Sequence, residues 1–319
     1  MRRWRVSAWA FFLFVSAVAP AQAQSYPDRP IKFIVGFGSG GPTDIVARVL
    51  ADQLSGILKQ KVIVENKPGA SGNLATQAVA SAEADGGTYL IGASPIAINA
   101  TLYPDFPVKV GKDIVPVAPI GANDNVLVVQ PSLGVKDVAS FVRLATQRPG
   151  ALTYAALGVG SSSHLAGVAF DMRAGTKMVP AMYRSGGEAL KDLLGGQVQA
   201  WFAPIPSVRA QIRAGTLVAI ATTGPSRSTW LPEVPTFVES GFAGYDVRLW
   251  VGLFAPAGVP SDRLKIIEDA VVRSMASPEM RHTLETQSIT PLAMRQAEFA
   301  RFVVNEIVRW KGIVETLKP

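Results

Sequence analysis

The chain has 319 residues, with 31 Lys or Arg against 24 Asp or Glu, two His and no Cys, for a net charge of +7. A length of this order can bury a large core and commonly divides into two domains. The lack of cysteine excludes disulfides, thiolate catalysis and cysteine-ligated metals. The basic residues are too few and too dispersed, without interleaved aromatics, to form a nucleic-acid groove.

In chain order, the first feature is an export signal. Arg2, Arg3 and Arg5 form a basic start, Val6–Ala19 is almost wholly apolar, and Ala21-Gln22-Ala23 gives a small-x-small cleavage site. The apolar run is shorter than the ~20 residues of a membrane span. A signal peptide over residues 1–23, cleaved after Ala23, and a periplasmic location are therefore expected. Losing the three arginines lowers the net charge from +7 to +4, a mild balance that weakly suits acidic small molecules.

Strands and helices then alternate, which predicts an α/β fold with largely parallel sheets. Lys32–Val35 reads as a buried strand and Ile45, Val46, Val49 and Leu50 as one helix face, with a glycine-rich corner, Gly36–Gly41, between them. Lys61–Glu65 is a strand, Asn66–Gly72 a turn, Asn73–Ala82 a helix and Gly87–Ala93 a strand. Ile114–Gln130 holds two apolar runs broken around Gly121–Asn125. Val135–Arg148 is an amphipathic helix stopped by Pro149-Gly150. A second set follows: strand Leu152–Ala156, corner Gly158–Ser163, helix His164–Arg173, strand Lys177–Tyr183, helix Gly187–Leu194, strand Val198–Phe202, helix Val208–Ala214 and strand Leu217–Thr222. Thr223–Gly244 reads as a long surface connection, Val247–Phe254 as a strand, and Ser261–Ala276 and Gln296–Leu317 as helices. Two similar sets suggest two lobes, with glycine-rich corners at strand ends facing the cleft between them.

The first corner admits three readings. Backbone N–H groups of Phe37, Gly38, Ser39, Gly40 and Gly41 can converge on an anion at a helix N-terminus, assisted by the hydroxyls of Ser39 and Thr43. Gly36, Gly38 and Gly41 also satisfy G-x-G-x-x-G, but Glu65 lies 24 residues beyond Gly41 and Pro42 stiffens the helix entry, a loose fit to a dinucleotide site. The third reading is a plain turn. Asp44 suits a capping role at the helix start better than ligand contact. The second corner offers Ser161, Ser162, Ser163 and His164 as caps or anion donors. No G-x-S-x-G elbow accompanies the serines, so a Ser–His–acid triad is not expected, and two separated histidines make no zinc site. Arg184 after the Tyr183 strand could pair with a carboxylate or stand in solvent. Ser94 and Phe202, at or beyond strand ends, are further cleft candidates.

Several segments together resemble one family, the Bug-type periplasmic receptors of tripartite tricarboxylate transporters: YPDRPIKFIV, FGSGGPTDIVAR, VIVENKPGASGN, GSSSHLAG, YRSGGEALKDLLGGQV, LPEVPTFVESGFAGY and WVGLFAPAGVP. They keep the family's order over nearly the whole mature chain. The resemblance implies a two-lobed type II periplasmic-binding-protein fold, α/β in class, that closes on a small carboxylate. Its contacts would lie in the Phe37–Asp44 corner, around Ser94, and at Ser161–His164. It also implies delivery to inner-membrane permease subunits. The chain departs from the family at Gly36, Gly38, Ser39 and Pro42, at Ser94-Pro95-Ile96, and at Gln199, where an aspartate is frequent.

The reading that results is a non-catalytic receptor, expected to be monomeric, needing no cofactor or metal. Residues 24–124 and 246–319 are expected to form one lobe and 125–245 the other. A sensing receptor of the same fold and an exported enzyme acting on an organic acid are the alternatives, the latter lacking a convincing base.

Overall fold

Ile31, Phe33 and Val35 lie under one face of a sheet while Ile34 packs against the other, so this short strand is buried on both sides. Such strands need helices above and below, and the chain supplies them in turn. The computed structural model describes residues 26–158 and 160–315. The expected signal peptide and its cleavage site lie outside the described residues.

The chain begins β1 (Ile31–Val35), α1 (Pro42–Leu58), β2 (Val62–Asn66), α2 (Asn73–Ala80), β3 (Thr88–Ala93), α3 (Pro95–Leu102) and β4 (Ile114–Asn123). It continues through β5 (Asn125–Val129), α4 (Val138–Gln147), β6 (Thr153–Ala156), α5 (Ser162–Ala174), β7 (Val179–Met182), α6 (Gly186–Leu194), β8 (Ala200–Pro204), α7 (Ile205–Arg213) and β9 (Val218–Thr222). It ends with β10 (Leu249–Pro256), α8 (Ser261–Met275), α9 (Pro278–Thr286), β11 (Thr290–Pro291) and α10 (Gln296–Val314).

These strands form two sheets. The first has the order β11-β4-β10-β3-β1-β2 and the second β7-β6-β8-β5-β9. β1, β2 and β3 are mutually parallel, as are β6, β7 and β8, whereas β10 runs antiparallel to β3 and β4, and β5 antiparallel to β8 and β9. The registers place Leu249 opposite Asn123, Val251 opposite Ala93, and Asn125 opposite Pro204. The two crossings between sheets therefore leave from the edges where the parallel strands end. The C-terminal corners of both sheets lie on the hinge side of their sheets.

The structure adds one element and alters one expectation. Pro95–Leu102 is helical although PIAINATL has no amphipathic period; it is held by burial of Ala97, Ile98 and Asn99. The segment after β9, expected as a surface connection, has no regular element but is pinned by buried Leu231, Val234, Phe237 and Tyr245. Tyr245 donates to Ala166 O on α5 (2.7 Å) and Phe237 packs among Phe170, Phe202, Phe242 and Tyr245.

One core cluster joins both sheets. It takes Ile34, Leu90, Trp250 and Phe254 from the first, Leu127, Tyr154 and Phe202 from the second, and Trp310 and Ile313 from α10. Inside it, the carboxylate of buried Glu306 accepts the indole N–H of Trp250 (2.9 Å) and of Trp310 (3.1 Å), and pairs with Arg309. Among the described residues no helix is long and apolar enough to cross a membrane.

Candidate functional site

The first corner is shaped from beneath by one buried carboxylate. Asp44 is 2% exposed. Its Oδ2 accepts from Gly40 N–H (2.8 Å) and Arg48 Nε (3.0 Å), and its Oδ1 from Asn66 Nδ2 (2.7 Å). Asn66 also donates to Phe37 O (3.1 Å) and accepts from the Arg48 guanidinium (2.9 Å). Burial alone would raise the Asp44 pKa, but the bonds from Arg48, Gly40 and Asn66 outweigh it and hold the group at about 2. Asp44 is thus the anchor of the corner, and its carboxylate is consumed inside the fold.

Gly36 is required by close approach: a Cβ there would sit 2.9 Å from Gly72 Cα. The turn between β2 and α2 is thereby laid against the first corner. At Gly38 and Gly40 a Cβ would meet nothing within 4 Å, and Gly40 has φ +81°. Gly38, Ser39 and Gly40 are exposed and Gly41 and Thr43 half-buried. The first turn of α1, opening on Pro42 after Gly41, has no side-chain cap. The N–H-rich face of this corner is open to an anion, and the Ser39 hydroxyl makes only a long contact, 3.4 Å, to Asp44.

In the second corner Gly158 and Gly160 take positive φ, +96° and +77°, before Ser161. Ser161 caps α5, its hydroxyl accepting His164 N–H (3.2 Å). His164 Nδ1 accepts Gly160 N–H (3.2 Å), which assigns its ring proton to Nε2, and burial lowers its pKa so that the neutral form dominates. Tyr154 OH donates to His164 O (3.1 Å). Among the described residues Ser162 makes no hydrogen bond through its side chain. Ser163 is fully buried with an unpartnered hydroxyl.

Other expected contacts face elsewhere. Ser94 is fully buried; its Oγ accepts Trp250 N–H (2.7 Å) and donates to Arg248 O (3.4 Å), so it fastens β3 to β10. Phe202 is also fully buried, edge-on to Tyr154 and packed on Phe170, a core role rather than a platform. Arg184 is exposed and its guanidinium has no partner among the described residues. Gln199 accepts from Thr153 N–H and Oγ1 (both 2.9 Å), tying β6 to β8 at the end away from the corners. Its departure from the family pattern therefore concerns the sheet. Glu65 ends exposed, and Asn66 is the residue of β2 that reaches the corner. Sequence reading missed Asn66 and Arg48, although Asn66 stands in the VIVENKPG segment that carries part of the resemblance.

The corners are not enclosed together. The first touches a cavity of about 10 Å³ lined by Gly36, Phe37, Gly72 and Pro95, and larger cavities lie away from both corners. No group of three or more acidic or histidine side chains among the described residues could hold a metal ion.

Two α/β sheets, crossed twice and bearing helix N-termini at facing strand ends, define a two-lobed type II periplasmic binding protein. A ligand-free TctC solute-binding protein from Polaromonas shares this fold with a TM-score of 0.83 and 25% identity, over 92% of this chain and 100% of that one. The family model described as tripartite tricarboxylate transporter family receptor matches residues 46–318. The chain belongs to that family. Protein BugT of Bordetella pertussis is 36% identical over 306 residues, covering 95% of this chain and 94% of that protein. A Rhodopseudomonas palustris protein solved with adipate is 31% identical with a TM-score of 0.74, over 91% and 98% of the two chains. MatC of the same organism, solved with malate, is 29% identical with a TM-score of 0.72, over 91% and 100%. The family is one of periplasmic solute-binding receptors rather than enzymes.

Proposed function

We propose that the chain is an exported, non-catalytic receptor that captures a small carboxylate-bearing solute by lobe closure and passes it to inner-membrane permease subunits. Residues 24–124 with 246–319 form one lobe and 125–245 the other, and the signal peptide is removed after Ala23. The observation that carries this reading is the open, uncapped N-terminus of α1 behind a glycine corner whose own acid, Asp44, is already consumed. A ligand carboxylate would take the N–H groups of Gly38, Ser39 and Gly41 and the hydroxyls of Ser39 and Thr43, the Gly40 N–H being spent on Asp44. The Ser161–His164 corner would complete the cage from the other lobe, with the Ser162 and Ser163 hydroxyls unpartnered among the described residues.

Support comes from relatives solved with adipate and malate, both dicarboxylates. A thermal-shift panel of mono- and dicarboxylates, adipate and malate included, against their amides tests the reading. Acids are expected to raise the melting temperature and amides to have no effect; equal stabilisation by amides would sink it. Thr43→Ala is expected to weaken acid binding about tenfold or more, since one charge-assisted hydrogen bond is worth about 1.5–3 kcal/mol. Its melting temperature without ligand should be unchanged.

A further inference from the structure

The hinge carries a row of charges that ligand capture does not use. Asp124 is the residue at which β4 becomes β5, so it forms the outgoing crossing. Its side chain lies directly against the return chain: a Cβ on Gly224, just beyond β9, would fall 2.6 Å from one carboxylate oxygen and 3.1 Å from the other. From the second crossing, Arg248 faces it, but the Arg248 fork is already bidentate on Asp246 (2.7 and 2.8 Å). Asp246 in turn lies 3.5 Å from Arg309 on α10, and Arg309 pairs with Glu306. Arg173 of α5, the other cation nearby, is spent on Ala243 O and Gly244 O.

Three carboxylates thus share two guanidiniums in a largely buried row. One proton makes the row neutral, and hydrogen bonding says where it goes. Glu306 accepts two indole N–H groups and pairs with Arg309, although burial pushes its pKa up, and Asp246 accepts from Arg248, so both carboxylates are supplied with donors. Asp124 accepts no hydrogen bond among the described residues. We propose that Asp124 is the proton switch of the hinge: protonated, it lets the two crossings pack as described, and ionised, it loosens them and shifts the lobe-opening equilibrium. Desolvation pushes the Asp124 pKa up to about 6, against the pull of Arg248 and with the added push of Asp246. The switch would therefore work in the mildly acidic range an exported protein meets.

The chain has no cysteine, so a fluorophore pair can be placed at Asp52→Cys on α1 and Lys191→Cys on α6, both exposed. Single-molecule energy transfer, with no ligand added, would be followed from about pH 5 to about pH 8 across the expected midpoint. The distance distribution should shift with that midpoint, by at most about tenfold in population ratio per pH unit for one proton. Asp124→Asn, or Asp124→Ser should the first not fold, is expected to abolish the shift, while Glu306→Gln, which removes one negative charge from the row, is expected to move its midpoint to lower pH. A distribution that is flat with pH in the unsubstituted protein overturns the proposal. So does a shift that survives loss of the Asp124 carboxyl, or a midpoint that rises in Glu306→Gln. Because no ligand is present, the receptor reading stands or falls separately.

Discussion

Asp44 shows how a residue at the proposed ligand corner can fix its shape without offering its own carboxylate. Its two oxygens take four donors from three elements, so the loop geometry is fixed before anything binds. With a pKa near 2 in the fold and 3.8 when unfolded, Asp44 contributes stability that is fully present above about pH 4 and lost as pH falls through 2. The shift corresponds to about 2 kcal/mol. Urea unfolding of Asp44→Asn should show that deficit at neutral pH and almost none near pH 2; an undiminished deficit in acid would refute the ionic origin. Ser94 and Phe202 mark the opposite case. Their residue types suit a cleft, but Ser94 is claimed by a strand partner 156 positions away and Phe202 by an aromatic cluster, facts set by packing rather than by sequence neighbourhood.

At the scale of elements, the first corner divides into a packed half and an open half. Gly36→Ala would drive a methyl into Gly72 and is expected to cost about 1–3 kcal/mol. Gly38→Ala meets open space and should stay within about 0.5 kcal/mol of the parent while reducing carboxylate affinity. Denaturation midpoints beside ligand titrations check the pair; equal stability losses would erase the distinction. The strand–corner–helix units were legible in the sequence because apolar runs, glycines and serine caps are local signals. Ser161, offered as a cap, does cap α5. α3 was not legible, since a short helix made almost wholly of apolar and small residues carries no polar face to betray its period. The bonds from Asn66 to Asp44 and Phe37, spanning 22 and 29 residues, were likewise beyond any local pattern.

At the scale of the molecule, the core that runs from β3 and β10 through α10 to Phe170 and Phe202 ties the two sheets into one apolar body. Calorimetry is therefore expected to record a single unfolding transition rather than one per sheet. Trp310→Ala removes a nearly fully buried indole and the hydrogen bond its N–H donates to Glu306. It should cost about 3–5 kcal/mol and lower that transition without splitting it. Two resolved transitions would show the shared core to be energetically minor.

The crossings have one more consequence. Asn125 and Thr223 are bonded both ways, Asn125 N–H to Thr223 Oγ1 and Thr223 N–H to Asn125 O (both 2.9 Å), and Val247 N–H then meets Thr223 O (3.1 Å). The long excursion from Asn125 thus returns to its own starting point, as an insertion does in a host chain. Its two ends form a ready splice junction. Half-sites from different relatives could be recombined there as whole cassettes, each bringing one corner of a new selectivity without redrawing the other.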